Sequence, residues 1–214
     1  MSVKRIAILL LLIGGIVAAF VWFGGSHDYR NLPPTADGPW VAFGDSLTEG
    51  HGASPGNDYP ALLGMRLGVD IQNLGKTGET SEDGLNRVDA VVALKPRVAL
   101  LCFGGNDALQ GKAVSQTTAN LGQIIDRLHG EGCFVVLIGI RSASLRDRNE
   151  SHYKTLAREK EVLYVPDMLK GLAFKPIYMS DAIHPSDAGY ARIAERLEKA
   201  LKRVMPKLRS GADR

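Results

Sequence analysis

Four short segments of this chain contain residue types that can act together on a carbonyl carbon. They are Gly44-Asp45-Ser46-Leu47-Thr48-Glu49-Gly50, the stretch 73–80 with glycines at 75 and 78, Gly104-Gly105-Asn106-Asp107, and Asp181-Ala182-Ile183-His184-Pro185. Acyl transfer needs an activated hydroxyl, a base in reach of it, a carboxylate that holds the base, and donors aimed at the developing oxyanion. The four segments contain one of each, and Asp181 puts a carboxylate three residues from the His184 imidazole. Each segment also has a plainer reading. Ser46 and Glu49 fit a helix capping box after a Gly44-Asp45 turn. Gly104 to Asp107 fits a loop whose last residue caps a turn, and Asp181 with His184 fits a surface loop with a solvated histidine. Chance is a poor account of all four occurring together.

These segments must be positioned by the elements around them. Five short apolar runs, 40–43, 69–74, 98–103, 134–140 and 162–165, read as strands. Helical patterns occupy 59–67, 81–94, 115–129 and 149–160, and a last helix runs from Ser186 to about Met205. Uninterrupted apolar strands joined by helices indicate a parallel sheet covered on both faces, so the expected architecture is α/β: a three-layer α/β/α sandwich with a five-stranded parallel sheet. In such sheets the ligand crevice lies outside the carboxyl ends of the strands. The first three segments directly follow strands one, two and three, which puts them on one rim.

Composition bounds the rest. With 45% hydrophobic and 23% charged residues, 24 Gly, 10 Pro and 2 Cys in 214 residues, disordered, collagen-like and cysteine-stapled classes are excluded. The net charge of +3 reduces to 24 basic against 23 acidic residues once Lys4 and Arg5 are set aside, so no nucleic-acid footprint exists. The uncharged run 6–23, 18 residues long, reaches the lower end of what spans a bilayer. Val17-Ala18-Ala19 offers a weak cleavage site, but Val21, Trp22 and Phe23 continue the run past it, which favours an uncleaved anchor. Lys4 and Arg5 then stay cytoplasmic and the working domain is extracytoplasmic, on the periplasmic side of an inner membrane. The expected organisation is an anchor over 1–27, a Pro-containing linker over 28–39, a single domain over 40–205 and a basic tail over 206–214. Cys102 and Cys133 fall at opposite ends of their strands, about 15 Å apart, and are expected to be buried free thiols.

In motif order and spacing the chain, from about Trp40 to Leu201, resembles the SGNH or GDSL hydrolases. The residues that carry the resemblance are Gly44-Asp45-Ser46-Leu47, Thr77-Gly78-Glu79-Thr80, the Gly104-Gly105-Asn106-Asp107 block and the closing Asp181-x-x-His184. Within that family the stretches 104–111 and 77–81 look closest to the bacterial thioesterase I/protease I/lysophospholipase and arylesterase branch. The resemblance implies a flavodoxin-like sandwich and a serine esterase that cleaves carboxylic esters or thioesters through an acyl-serine intermediate. It makes Ser46 the nucleophile, His184 the general base and acid, and Asp181 the carboxylate that fixes the imidazole tautomer. The oxyanion hole would combine the backbone N–H of Ser46, the backbone N–H of Gly78 and the Asn106 side-chain amide, with Gly75 competing for the place of Gly78.

Other residues are assigned plainer roles. Asp45 is expected to bond the turn backbone, and Cys102 to pack in the core. His51, five residues past Ser46, lacks a carboxylate at useful spacing to act as the base. His27, His129 and His152 read as surface residues. No His/Cys/Asp cluster has metal spacing, so neither metal nor cofactor is implied. The expected partners are a small-molecule ester or thioester and, through residues 1–27, a membrane, with the domain monomeric. The segment 141–148 is more basic than the named branch has in its corresponding loop, which leaves the acyl preference open. Leu109 and Gln110-Gly111 would border an acyl groove by resemblance. The eight Arg/Lys against three acids over 192–214 read as a solvated face or as a contact for anionic lipid. Two alternatives are a deacetylase of acetylated sugar or cell-wall glycan, and a non-catalytic membrane-anchored binding domain.

Overall fold

Apolar runs bounded by turn residues become strands here because both faces of the sheet are covered. The computed structural model describes residues 28–140 and 149–210. Its strands are β1 (Trp40–Gly44), β2 (Ile71–Gly75), β3 (Val98–Cys102), β4 (Phe134–Ile138) and β5 (Leu163–Val165). All neighbours pair in parallel, in the order β2-β1-β3-β4-β5. Helices α1 (Ser46–Glu49), α2 (Tyr59–Leu67), α3 (Ser81–Val92), α4 (Gly105–Leu109), α5 (Val114–Gly130), α6 (Asn149–Glu159), α7 (Asp187–Leu201) and α8 (Met205–Arg209) connect and follow them.

The period-two alternation of strand side chains splits the core in two. Ala42, Leu100, Cys102 and Val136 pack on one face against Tyr59 and Leu63 of α2 and Tyr190, Ile193 and Leu197 of α7. Val41, Phe43, Leu101 and Val135 pack on the other against Val88 of α3, Leu121, Ile124 and Ile125 of α5, and Leu156 of α6. This is the expected three-layer α/β/α sandwich. Because β1 lies between β2 and β3, chain order reverses there, and a crevice opens outside the carboxyl ends of those strands.

Some boundaries differ from the sequence reading. The last helix is two: α7 ends at Leu201 and α8 starts at Met205, with Pro206 in the first turn of α8. A proline lacks the N–H that continuation of α7 would need but suits a first helical turn. Residues 30–38, inside the expected linker, are docked along the amino ends of the strands. Arg30 N donates to Glu161 O at 2.9 Å, Thr35 N to Gly132 O at 3.1 Å and Gly38 N to Lys95 O at 3.1 Å. Part of the expected basic tail is docked there too, since Leu208 is buried and Arg97 holds the Leu208 and Ser210 carbonyls. Cys102 and Cys133 are both buried and unlinked. Among the described residues no helix is long and apolar enough to cross a membrane. The anchor reading, the basic loop 141–148 and His27 lie outside the described residues.

Candidate active site

A side chain at Gly44 would put its Cβ 2.1 Å from Thr48 Oγ1 and 2.4 Å from the Cys102 carbonyl. Only glycine therefore lets α1 fold back over the end of β3. Asp45, not Ser46, is the N-cap of α1: its Oδ1 accepts from Leu47 N at 3.0 Å. This is the turn-bonding role expected of it. Glu49 is not the partner of a capping box. Its carboxylate accepts from Thr77 N at 2.7 Å and from the Thr77 hydroxyl, tying α1 to the loop after β2. Burial raises the Asp45 carboxyl from 3.8 to about 7.

Ser46 is thereby presented at the first position of α1. Its Oγ lies 3.1 Å from His184 Nε2, and His184 Nδ1 lies 2.8 Å from Asp181 Oδ2. Asp181 Oδ1 accepts from the backbone N–H groups of His184 and Ile183, each at 2.7 Å. These donors, with the imidazole, hold the Asp181 carboxyl down to about 2. An ionised carboxylate only accepts, so Nδ1 carries the ring proton and Nε2 offers its lone pair to the Ser46 hydroxyl. The surface-loop reading of Asp181 and His184 is thus displaced by a loop that is tightly built. Met179 and Pro185 form an antiparallel bridge, Ser180 N donates to His184 O at 2.9 Å, and Ser186 Oγ to Ile177 O at 2.7 Å. Asp187 then fastens this loop to the α1–α2 connection through Ser54 N at 2.7 Å and Asn57 Nδ2 at 3.1 Å.

The glycine that ends β2 and the one that follows it serve different purposes. A Cβ on Gly75 would lie 2.1 Å from Glu49 N, and the Gly75 N–H is engaged by Asn73 Oδ1 at 2.9 Å, so Gly75 serves close packing. Gly78 adopts φ +83° with open space where a side chain would stand. The loop that carries it ends in a capping box: Asp83 Oδ2 accepts from Thr80 N at 2.9 Å, and Thr80 Oγ1 from Asp83 N at 3.4 Å. Arg87 donates to Glu79 Oε2 at 2.6 Å and to Leu74 O at 2.9 Å, with its guanidinium 4.4 Å over the Phe43 ring. Asn106 Nδ2 donates to the Glu79 carbonyl at 2.8 Å, which joins the Asn106 amide to the Gly78 loop. An amide has two N–H donors, so one is left for a ligand.

Asp107 does not cap a turn. It is buried and accepts from Ser81 N at 2.8 Å, Ser81 Oγ at 2.6 Å and Thr117 Oγ1 at 3.2 Å, which fixes α4 to the start of α3. Tyr153 of α6 donates to Phe103 O at 2.8 Å beneath the same turn. Asp107, Glu49, Arg87, Tyr153 and Asp187 were missed as supports because their partners lie up to 133 residues away in sequence. Only the Thr80/Asp83 box carried a local signal.

The histidines need two corrections. His129 is buried rather than on the surface, and burial, followed by the charge of Arg30, lowers its pKa to about 4. It lies on the core-facing stripe of α5, one residue from Leu128, and the 3.6-residue period places it there. His51 is exposed but not remote: its ring centroid is 4.3 Å from that of His184. One ligand atom each of His51, Asp181 and His184 lie within 4.8 Å of one another, a cluster that linear spacing did not reveal. His152 is exposed, and Cys102 packs in the core, as expected.

A parallel sheet whose carboxyl rim brings a serine, a histidine and an aspartate into one hydrogen-bonded chain, beside an amide and a left-handed glycine, defines a serine hydrolase. Residues 42–192 match the GDSL-like lipase/acylhydrolase family model, and the chain belongs to that family. It is 30% identical over 177 residues to the esterase TesA of Pseudomonas aeruginosa, covering 77% of this chain and 88% of that protein. It is 33% identical over 171 residues to thioesterase 1/protease 1/lysophospholipase L1 of Escherichia coli K12, covering 76% and 82%. The crystal structure of TesA superposes with a TM-score of 0.73 at 30% identity, over 78% of this chain and 99% of that one. The chain is accordingly an enzyme that hydrolyses ester bonds.

Proposed function

We propose that the chain hydrolyses carboxylic esters or thioesters through an acyl-Ser46 intermediate. The observation that supports this most directly is the unbroken chain Ser46 Oγ, His184, Asp181, with distances of 3.1 and 2.8 Å. Ser46 Oγ attacks the carbonyl carbon while His184 Nε2 takes its proton. Asp181 stays ionised, keeps the Nδ1 proton in place and stabilises the imidazolium. The oxyanion is received by the N–H groups of Ser46 and Gly78 and by the second N–H of Asn106. Collapse expels an alcohol or thiol that recovers the proton from His184, and water repeats the sequence to release the acid. Neither a metal nor a cofactor enters these steps.

Two exposed apolar side chains are close in sequence to the candidate residues, Leu109 three residues past Asn106 and Ile183 next to His184, and they favour an apolar acyl or aryl group over a sugar ester. The test is hydrolysis of p-nitrophenyl esters from acetyl to palmitoyl by the intact chain, with Ser46→Ala alongside. An optimum beyond acetyl that the variant abolishes is the expected result. Turnover that survives in the variant overturns the role of Ser46, and a strict acetyl preference overturns the acyl reading.

The proposal extends to location. The uncharged run 6–23 after Lys4 and Arg5 is an anchor, and the domain works outside the cytoplasm. Residues 30–38 run along the amino ends of the strands, so in this reading the triad faces away from the membrane that holds it. Retention of the chain in the membrane pellet after alkaline wash is expected, and release by that wash would remove the anchor.

A further inference from the structure

We propose that His51, His184 and Asp181 form a transition-metal site through which a zinc-class divalent cation silences the triad, an inference that rests on His184 being the general base. His51 plays no part in the acyl-transfer steps, yet the fold holds it against the base. Its backbone N–H donates to Ser46 O at 3.0 Å, and its carbonyl accepts from Tyr190 Oη at 2.9 Å. Gly50 and Gly52 flank it at φ +96° and +89°. At Gly52 a Cβ would lie 2.1 Å from Ser180 Oγ, so the loop bearing His51 sits directly on the loop that carries Asp181 and His184. The result is two imidazoles with ring centroids 4.3 Å apart and a carboxylate beside them.

One ligand atom from each of the three residues lies within 4.8 Å of the others. Donors on a tetrahedral zinc stand about 3.4 Å apart, a spacing set by bonds of about 2.0–2.1 Å. With Asp181 held by the N–H groups of Ile183 and His184, a rotation of the exposed His51 side chain would close that gap. Two nitrogens and one carboxylate suit zinc, cobalt, nickel or copper, whereas magnesium and calcium require oxygen donors. Three protein ligands leave a fourth position for water. Either ring nitrogen of His184 gives the same outcome. An ion on Nε2 occupies the lone pair that accepts the Ser46 proton. An ion on Nδ1 moves the ring proton to Nε2, where it faces Ser46 and the base is equally lost.

The test uses the intact chain freed of metal with EDTA, the variants His51→Gln and His51→Ala, and Ser46→Ala as a form without the nucleophile. Co2+ is titrated and its visible ligand-field absorption recorded, a readout independent of turnover. Wild type and Ser46→Ala are expected to develop the same bands. Both His51 variants should need about tenfold more Co2+ or higher, the scale on which metal sites respond to loss of a supporting group. In parallel, hydrolysis of p-nitrophenyl acetate is followed with and without Zn2+, each protein compared with its own metal-free rate. Zn2+ should lower the wild-type rate by about tenfold or more, reversibly with EDTA, at concentrations that leave the His51 variants close to their metal-free rates. Equal Co2+ titrations in wild type and both His51 variants overturn the site, as does equal Zn2+ sensitivity. If the chain turns over none of these esters, the esterase reading fails by itself and the Co2+ titration still decides the site.

Discussion

At the carboxyl ends of β1, β2 and β3 the chain turns sharply through Gly44, Gly75 and Gly104, whereas at the amino ends it is sealed by segments from both sides of the domain. The contrast follows from helix polarity. Helices α1, α3 and α4 begin at the carboxyl rim, so orphan N–H groups gather there, able to receive a negative charge. Helices α3 and α5 end at the opposite rim and leave carbonyls. The Asn31 amide satisfies one of those at the end of α5, and Arg97, just ahead of β3, in turn holds carbonyls of the flanking segments. Arg97, buried, donates to Ala36 O at 3.1 Å, Leu208 O at 2.9 Å and Ser210 O at 3.2 Å, while Asn31 Nδ2 donates to the His129 and Cys133 carbonyls, each at 3.0 Å. One rim keeps donors and a reactive hydroxyl available, and the other consumes its polar groups in holding the domain together.

Substitutions on the two rims should therefore fail in different measurements. Ser46→Ala is expected to lower kcat by up to about a millionfold, the scale seen on removing a nucleophile that acts as part of a triad, with an unchanged circular dichroism spectrum. Asn106→Ala removes the proposed oxyanion donor and is expected to lower kcat about a hundredfold, or about 3 kcal/mol, with KM little changed. An unchanged kcat would take Asn106 out of the mechanism. On the amino rim, Arg97→Ala strips three carbonyls of their donor, and stability in urea should fall by roughly 2–4 kcal/mol with kcat intact. A large loss of kcat with normal stability would erase the division between the rims.

The smallest effect concerns His129. An unfolded histidine titrates near 6.5 and the buried one at about 4, so between these values the unfolded chain binds more protons and stability falls as pH falls. His129→Leu should flatten the decline in Tm between pH 6.5 and 4, and identical slopes would assign the acid sensitivity elsewhere. Burial of Asp45 acts in the opposite direction. Its carboxyl is raised to about 7, so the folded chain holds the extra proton, and stability from this group falls as pH rises from about 4 to 7. Asp45→Asn keeps an acceptor for Leu47 N and should make stability less dependent on pH across that window.

Strand runs, helix patterns and the four chemical segments were legible because each depends on neighbours a few residues apart. The match of α2 to the expected 59–67 is one case. So is the turn-bonding role of Asp45, although the cap itself was read at Ser46 and falls at Asp45. By resemblance the Gly-Glu-Thr-Ser context favoured Gly78 over Gly75 as the oxyanion donor. The structure adds a separate use for Gly75, which packs against Glu49, 26 residues away in the sequence. The His51 contact with His184 spans 133 residues and left no periodic trace.

By itself, then, the sequence determined the parallel sandwich and the rim on which the first three chemical segments fall, because hydrophobic period and turn chemistry are local properties, while the candidate serine, histidine, aspartate and asparagine were named by resemblance. The tertiary structure alone decided which side chains support them, that His129 is buried without charge, and that a second imidazole stands beside the first. Those outcomes depend on distances between elements, and such distances exist only once the sheet has brought its strand ends to one edge.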